Sequence, residues 1–169
     1  GFDPGSVALV SGILFSAAAI GAVLGNQGCD AMLRRWSARA VIAVSLLLAG
    51  VALGVFLLLG GTLGLAAALA FFGAGVGVGT TAAYTVGGRQ MPEGAHGTGF
   101  GLLTGSALAG LAISPAVCGL LSRGTLLTVF ALDLGMLVAL AGVVAWKMPV
   151  DGLGGQGGSA APSTGTAEM

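Results

Sequence analysis

An all-α fold, a polytopic bundle of five transmembrane helices, is what this amino-acid sequence predicts. Three observations carry the expectation. Charged residues make up only 7% of the chain, where a soluble domain would carry roughly a quarter. The mean hydropathy is +1.02. The apolar residues also fall into five runs, each near the roughly 20 residues that cross about 30 Å of hydrocarbon. An open-ended segment in lipid has to satisfy its backbone groups internally, and a helix does so.

The first run covers residues 6–25. It is too long for a signal-peptide core and lacks the basic leader. With Gly1 rather than methionine at its start, the chain reads as the downstream piece of a longer protein. A charged stretch follows, Asn26 to Arg39, and is expected to be a loop. The second helix is expected over 40–59 and the third over 63–86, parted only by Gly60-Gly61-Thr62. The segment from Gly87 to Gly97 then leads to a fourth helix over 98–121. Ser122-Arg123-Gly124-Thr125 separates it from the fifth, over 126–146. Residues 1–149 thus form one transmembrane domain. Residues 150–169 are rich in Gly, Ser, Ala and Pro, with Asp151 and Glu168 as the only charges. That composition buries too little apolar surface to offset ordering entropy, so a disordered cytoplasmic tail is expected.

Charge sets the direction of threading. Basic residues in short loops beside membrane spans stay on the cytoplasmic side. With the Asn26–Arg39 segment inside, Arg34, Arg35, Arg39, Arg89 and Lys147 are all cytoplasmic and only Arg123 is outside. Trp36 and Trp146 then both meet the inner interface, where amphipathic rings are favoured. The expected topology is amino end outside and carboxyl end inside, in the plasma (inner) membrane. The six basic and six acidic side chains cancel, so no large field attracts nucleic acid. Cys29 and Cys118 fall at opposite membrane faces on this map. A disulfide needs Cα atoms within about 7 Å, so both are expected as free thiols.

Glycine is the second compositional signal. The chain has 33 glycines, far above the usual share of about 7%. Association of helices in lipid depends on close van der Waals approach, which small residues permit. Gly21 and Gly25, Gly50 and Gly54, Gly73 and Gly77, and Gly75 and Gly79 are each four apart, and the fourth helix continues through Gly97, Gly101 and Gly105. These are expected to be faces for close neighbours. Biased composition alone would give some of the same spacings. The run Gly73 to Gly79 lacks the lysine and the strand–helix setting of a phosphate-binding loop.

Few residues offer chemistry. Asp133 is the acidic residue in the middle of a span, where a charged carboxylate is costly unless neutralised, paired or wetted. It is a candidate coupling or cation-binding carboxylate, with a structural hydrogen bond as the plainer role. Gly73, Gly77, Thr80 and Tyr84 recur at spacings of three and four and form a candidate cavity-lining face. Such hydroxyls also bond backbone carbonyls of their own helix. Ser114 and Pro115 form a candidate hinge, because proline removes a backbone donor and kinks a helix; a static kink is as ordinary. His96 is expected in the loop before the fourth helix, and a lone histidine makes no metal site. No cofactor is implied. With no metal motif, nucleophile elbow or paired intramembrane carboxylates, enzymatic function finds no footing.

Three features resemble a major facilitator superfamily transporter, over its last five helices. The segment after the first helix resembles the family's cytoplasmic loop signature, Gly-x-x-x-Asp-Arg-x-Gly-Arg-Arg. Asp30, Arg34 and Arg35 match it in spacing, whereas Asn26, Ala31 and Leu33 depart from it. The run from Gly88 to Gly101 resembles the loop entering the penultimate helix. The glycine-rich third helix stands where the family's third-last helix would. The resemblance covers roughly residues 1–149, and the charge-derived orientation agrees with it.

The resemblance implies alternating access by rocking of two six-helix halves. Asp30 with Arg34 or Arg35 would form a cytoplasmic gating charge lock. The third helix would line the central cavity, and the fifth would be peripheral. The apolar lining points to efflux of amphipathic small molecules, with protons as the coupling ion. Implied partners are lipid, the small-molecule substrate, protons and the missing amino-terminal helices, without which this piece is expected not to transport. The rival expectation is a non-transporting membrane scaffold or assembly subunit of glycine-packed helices. An oligomeric channel would need a repeated pore-facing polar stripe, which only the third helix approaches.

Overall fold

The computed structural model describes residues 4–59, 61–121 and 126–148. Five helices occur in it, each long and apolar enough to cross a membrane, and the described residues include no strand. They are α1 (Pro4–Arg35), α2 (Ala38–Leu58), α3 (Thr62–Gln90), α4 (His96–Leu121) and α5 (Leu126–Lys147). The expected tail and the Arg123 turn lie outside the described residues.

The expected loop from Asn26 to Arg39 is mostly helix. α1 has 32 residues, about 48 Å at 1.5 Å per residue, well beyond the apolar run. Hydropathy falls after Gly25, but Gln27, Ala31, Met32, Leu33, Arg34 and Arg35 are all good helix formers. Arg34 and Arg35 in the last turn also suit the negative end of the helix dipole. The chain turns only at Trp36 and Ser37. Ser37 caps α2, its hydroxyl accepting a 3.3 Å hydrogen bond from the Ala40 amide. α3 likewise outlasts its expected end and stops at Met91, because a residue before proline is pushed out of the helical region. Gly94 turns the chain with φ +86°, and His96 becomes the first residue of α4 rather than part of a loop.

α1 and α3 run parallel in close contact. Gly21 and Gly25 meet the backbone of Ala70 and Ala74, while Gly73 and Gly77 meet the backbone of Ala18 and Ala22. A Cβ on any of these four glycines would overlap a carbonyl oxygen across the interface. The contact is reciprocal because both helices carry one pattern: Ala18-x-x-Gly21-Ala22-x-x-Gly25 and Ala70-x-x-Gly73-Ala74-x-x-Gly77. α2 packs on another side of α3, where a Cβ at Gly75 would stand 2.8 Å from the Ser45 carbonyl oxygen. α5 packs on α2, with Leu134 against Gly50 and the Phe56 and Phe130 rings 5.9 Å apart.

One end of the bundle carries the core. Cys29, Val41, Ile42, Val78 and Ala82 are buried together, with Met32, Leu33, Leu46, Val144 and Met148 against them. The carboxyl-terminal halves of α1, α3 and α5 and the first turns of α2 meet there. The Arg39 guanidinium donates to the Met148 carbonyl oxygen at 3.3 Å, capping the end of α5. Both cysteines are free; the Cys29 thiol is buried and donates to the Val78 carbonyl oxygen at 3.6 Å.

α4 has no buried residue. It touches α3 near its own start and makes a short contact with α5, and otherwise presents apolar side chains outward, Leu102 at 76% and Leu111 at 69% exposure among them. The glycine row expected to seat a close neighbour meets none among the described residues: nothing stands within 4 Å of a Cβ at Gly97, Gly101 or Gly105.

Gly21→Ala and Gly73→Ala each add one methyl group where a backbone oxygen already stands. Each should lower the stability of the bundle by about 1–3 kcal/mol, the usual cost of overpacking. Gly105→Ala, in open space within a helix, should not lower it, since alanine is the better helix former. Unfolding equilibria measured in bicelles check the contrast, and equal effects at all three sites would contradict the α1–α3 register.

Candidate functional site

Three helices surround a concavity. α2, α3 and α5 enclose a cleft of about 600 Å³, within the 300–1,000 Å³ range of small-molecule sites. Its volume exists because α3 contributes small residues to that wall: Gly75, Gly79, Ala83 and Gly87. The opposite walls are larger, with Ile42, Leu46 and Ala49 on α2 and Leu137, Leu140 and Val144 on α5. Two hydroxyls reach the lining. Ser45 is buried and donates to the Ile42 carbonyl oxygen at 2.8 Å, so its hydrogen is already used. Thr80 has no hydrogen-bond partner among the described residues and leaves its hydroxyl available to a ligand.

The four residues placed on one cavity face by their spacing are divided among three surroundings. Gly73 and Gly77 lie buried under the α1 backbone. Thr80 lines the cleft. Tyr84 turns to α4, its hydroxyl 3.2 Å from Thr104 Oγ1 and its ring stacked on Phe100 with centroids 6.1 Å apart. A helical face about 60° wide is broad enough to touch several neighbours, and spacing alone does not say which. Thr81 and Thr85 also bond away from the cleft. Thr81 donates to Asn26 Oδ1 on α1 at 2.8 Å, and Thr85 donates back to the Thr81 carbonyl oxygen.

Asp30 and Arg34 form an ion pair one helical turn apart. Both Nε, at 3.1 Å, and one terminal nitrogen, at 2.6 Å, donate to the same carboxylate oxygen. The Arg34 and Asp30 side chains are 77% and 73% exposed, so the pair closes within α1 and reaches no other helix among the described residues. Arg35 is exposed beside it. Arg34, Arg35, Arg39, Arg89 and Lys147 all belong to helix ends that meet at the core-bearing end of the bundle. Trp146 adds a cation–π contact there, its ring 5.2 Å from Lys147 Nζ.

Ser114 and Pro115 lie within an unbroken α4. The hydroxyl of Ser114 stands 3.9 Å from Cys118 Sγ, one turn further along the helix. Asp133 is exposed on α5, with no hydrogen bond or ion pair among the described residues. It belongs to the stripe Asp133, Leu137, Leu140, Val144 and Met148, whose last four members line the cleft. Sequence reading missed that continuity because the other wall was not known. The three- and four-residue spacing from Asp133 to Met148 was the available signal.

The chain matches no protein-family model, no curated protein and no solved structure.

Two substitutions separate structural from other roles. Tyr84→Phe keeps the stack on Phe100 and removes the bond to Thr104, so a double-mutant cycle with Thr104→Val should return a coupling of about 0.6 kcal/mol, the mean for hydrogen bonds between membrane helices. Asp30→Asn should leave the unfolding equilibrium unchanged, because an exposed pair contributes little. A clear loss of stability there would assign Asp30 to the fold.

Proposed function

We propose that this chain is the carboxyl-terminal part of an alternating-access transporter of the major facilitator type, exporting small amphipathic molecules. The observation that carries the reading is the apolar cleft among α2, α3 and α5, open at its side and walled by glycine on one face. A weakly polar molecule partitioned in the bilayer reaches such a cleft without crossing water. The exposed apolar faces of α1 and α4 are where the remaining helices of the transporter would pack, and the pathway would close between them and α3.

In this reading the basic end of the bundle faces the cytoplasm of the plasma (inner) membrane, the amino end is outside and the carboxyl end is inside. Asp30, Arg34 and Arg35 belong to the cytoplasmic gate. Their pair is closed within one helix, so the gating contact would form when another part of the transporter approaches and Asp30 exchanges partners. Asp133 would carry the coupling proton. A second reading has its own support. The reciprocal α1–α3 packing is what a non-transporting scaffold of glycine-packed helices would use.

Transport and topology decide between them. Proteoliposomes holding the protein with its upstream helices should accumulate a lipophilic fluorescent dye against its gradient, and those holding this chain alone should not. Asp30→Asn in the longer protein should shift thiol-accessibility labelling between inward- and outward-open patterns. A reporter fused after Lys147 should be cytoplasmic. Absence of dye movement with labelling unaltered by Asp30→Asn would favour the scaffold, and an external reporter would reverse the topology.

A further inference from the structure

We infer that the α2–α3–α5 cleft is a binding site for a monovalent organic cation, with Asp133 as its counter-charge. The assignment takes from the transporter reading the premise that the cleft holds a small molecule, and nothing about translocation.

Position comes first. Leu137, Leu140 and Val144 line the cleft from α5, and Asp133 precedes Leu137 by one turn on the same stripe of a continuous helix. It therefore stands about 6 Å along the axis beyond Leu137 and about 10 Å beyond Leu140, on the side of the cleft away from Arg34, Arg35, Arg39 and Arg89. It is also about 10 Å inside the start of α5, too deep for a short carboxylate to reach the interface as a lysine would.

Chemistry narrows the occupant. An intramembrane carboxylate is kept where it meets a partner or a water-filled path, and the described residues give Asp133 no partner. The nearest basic side chain on its own helix is Lys147, 14 residues away at the other end of α5. An inorganic cation needs several oxygen ligands. The lining beneath Asp133 is almost wholly hydrocarbon, with the Thr80 hydroxyl as the one free oxygen from a side chain. What fits is a charge-delocalised cation whose apolar body fills the cleft while its charge rests at the mouth.

Tetraphenylphosphonium and tetraphenylborate, equal in shape and opposite in charge, test this on the full chain in zwitterionic nanodiscs by equilibrium dialysis, with the uptake of each ion by protein-free nanodiscs subtracted because the interfacial dipole potential favours the anion in lipid. The wild-type chain should hold the cation more tightly than the anion by about ten-fold or more, the factor equivalent to 1.4 kcal/mol. Asp133→Asn should abolish the preference, and Asp133→Glu should keep it. The cation should also protect a Val144→Cys thiol, located by peptide mass, from N-ethylmaleimide. Equal binding of cation and anion by the wild-type chain would overturn the site without reference to any variant, as would an unprotected thiol at Val144→Cys. Binding that meets these expectations in a protein that moves no dye would retain the site and discard the transporter.

Discussion

The contact between α1 and α3 is the constraint on which the rest of the bundle depends. Two backbones approach until the carbonyl oxygens of one occupy the space that side chains would need on the other. In water such a contact would waste the hydrophobic drive that larger side chains supply. In lipid that drive is missing between helices, and close packing of many weak contacts takes its place. Four glycines and four alanines in one repeated pattern make the surfaces self-complementary. The parallel arrangement follows, because Ala18 meets Gly73 and Ala22 meets Gly77 only when the helices run the same way. Asn26 and Thr81 extend the contact by one polar link beyond the last glycine.

With α1 on one side, α3 can offer only its remaining surface to others. Gly75 and Gly79 receive α2 through Ser45 and Ala49. α5 reaches the bundle mainly through α2, by way of Gly50, Leu134 and the Phe56–Phe130 pair. The cleft is what remains between α3 and α5, since glycine and alanine do not extend far enough to meet Leu140 and Val144. The same choice of small residues that brings α1 close leaves a concavity where no partner helix stands.

Helix number and type were legible because an apolar run of about 20 residues admits few other structures in lipid. Ends were less legible, since hydropathy reports where the membrane stops and helices continue past it. Met32, Leu33, Arg34 and Arg35 keep α1 helical well after Gly25 despite Gly28, and the chain turns only at Trp36 and the capping Ser37. Glycine spacing marked Gly21, Gly25, Gly73 and Gly77 as contact residues but not as partners of one another. The same spacing in α4 marked Gly97, Gly101 and Gly105, which face open space. A one-dimensional pattern states that a surface is smooth, whereas its neighbour is decided by the competing surfaces of all the other helices. Thr80 and Tyr84 show the same limit, sharing a face in projection and meeting different surroundings in three dimensions.

The helices are also held to different degrees. α1 and α3 are joined along several turns by contacts between backbones, which side-chain motion cannot loosen. α4 is joined to α3 near one end, through Tyr84, Phe100 and Thr104 and through Gly88 under the Phe100 ring, and otherwise makes only a short contact with α5. An element held over one turn opens at a lower free energy than one packed along its length. Gly94 with φ +86° and the loop around it lie beside that attachment, and glycine takes up such backbone angles without a steric cost. The stiff pair and the loosely held helix thus share α3, and α3 also walls the cleft. Displacement of α4 about its attachment would change what stands beside that wall without disturbing the α1–α3 register, which separates the part of the chain that sets the fold from the part free to move.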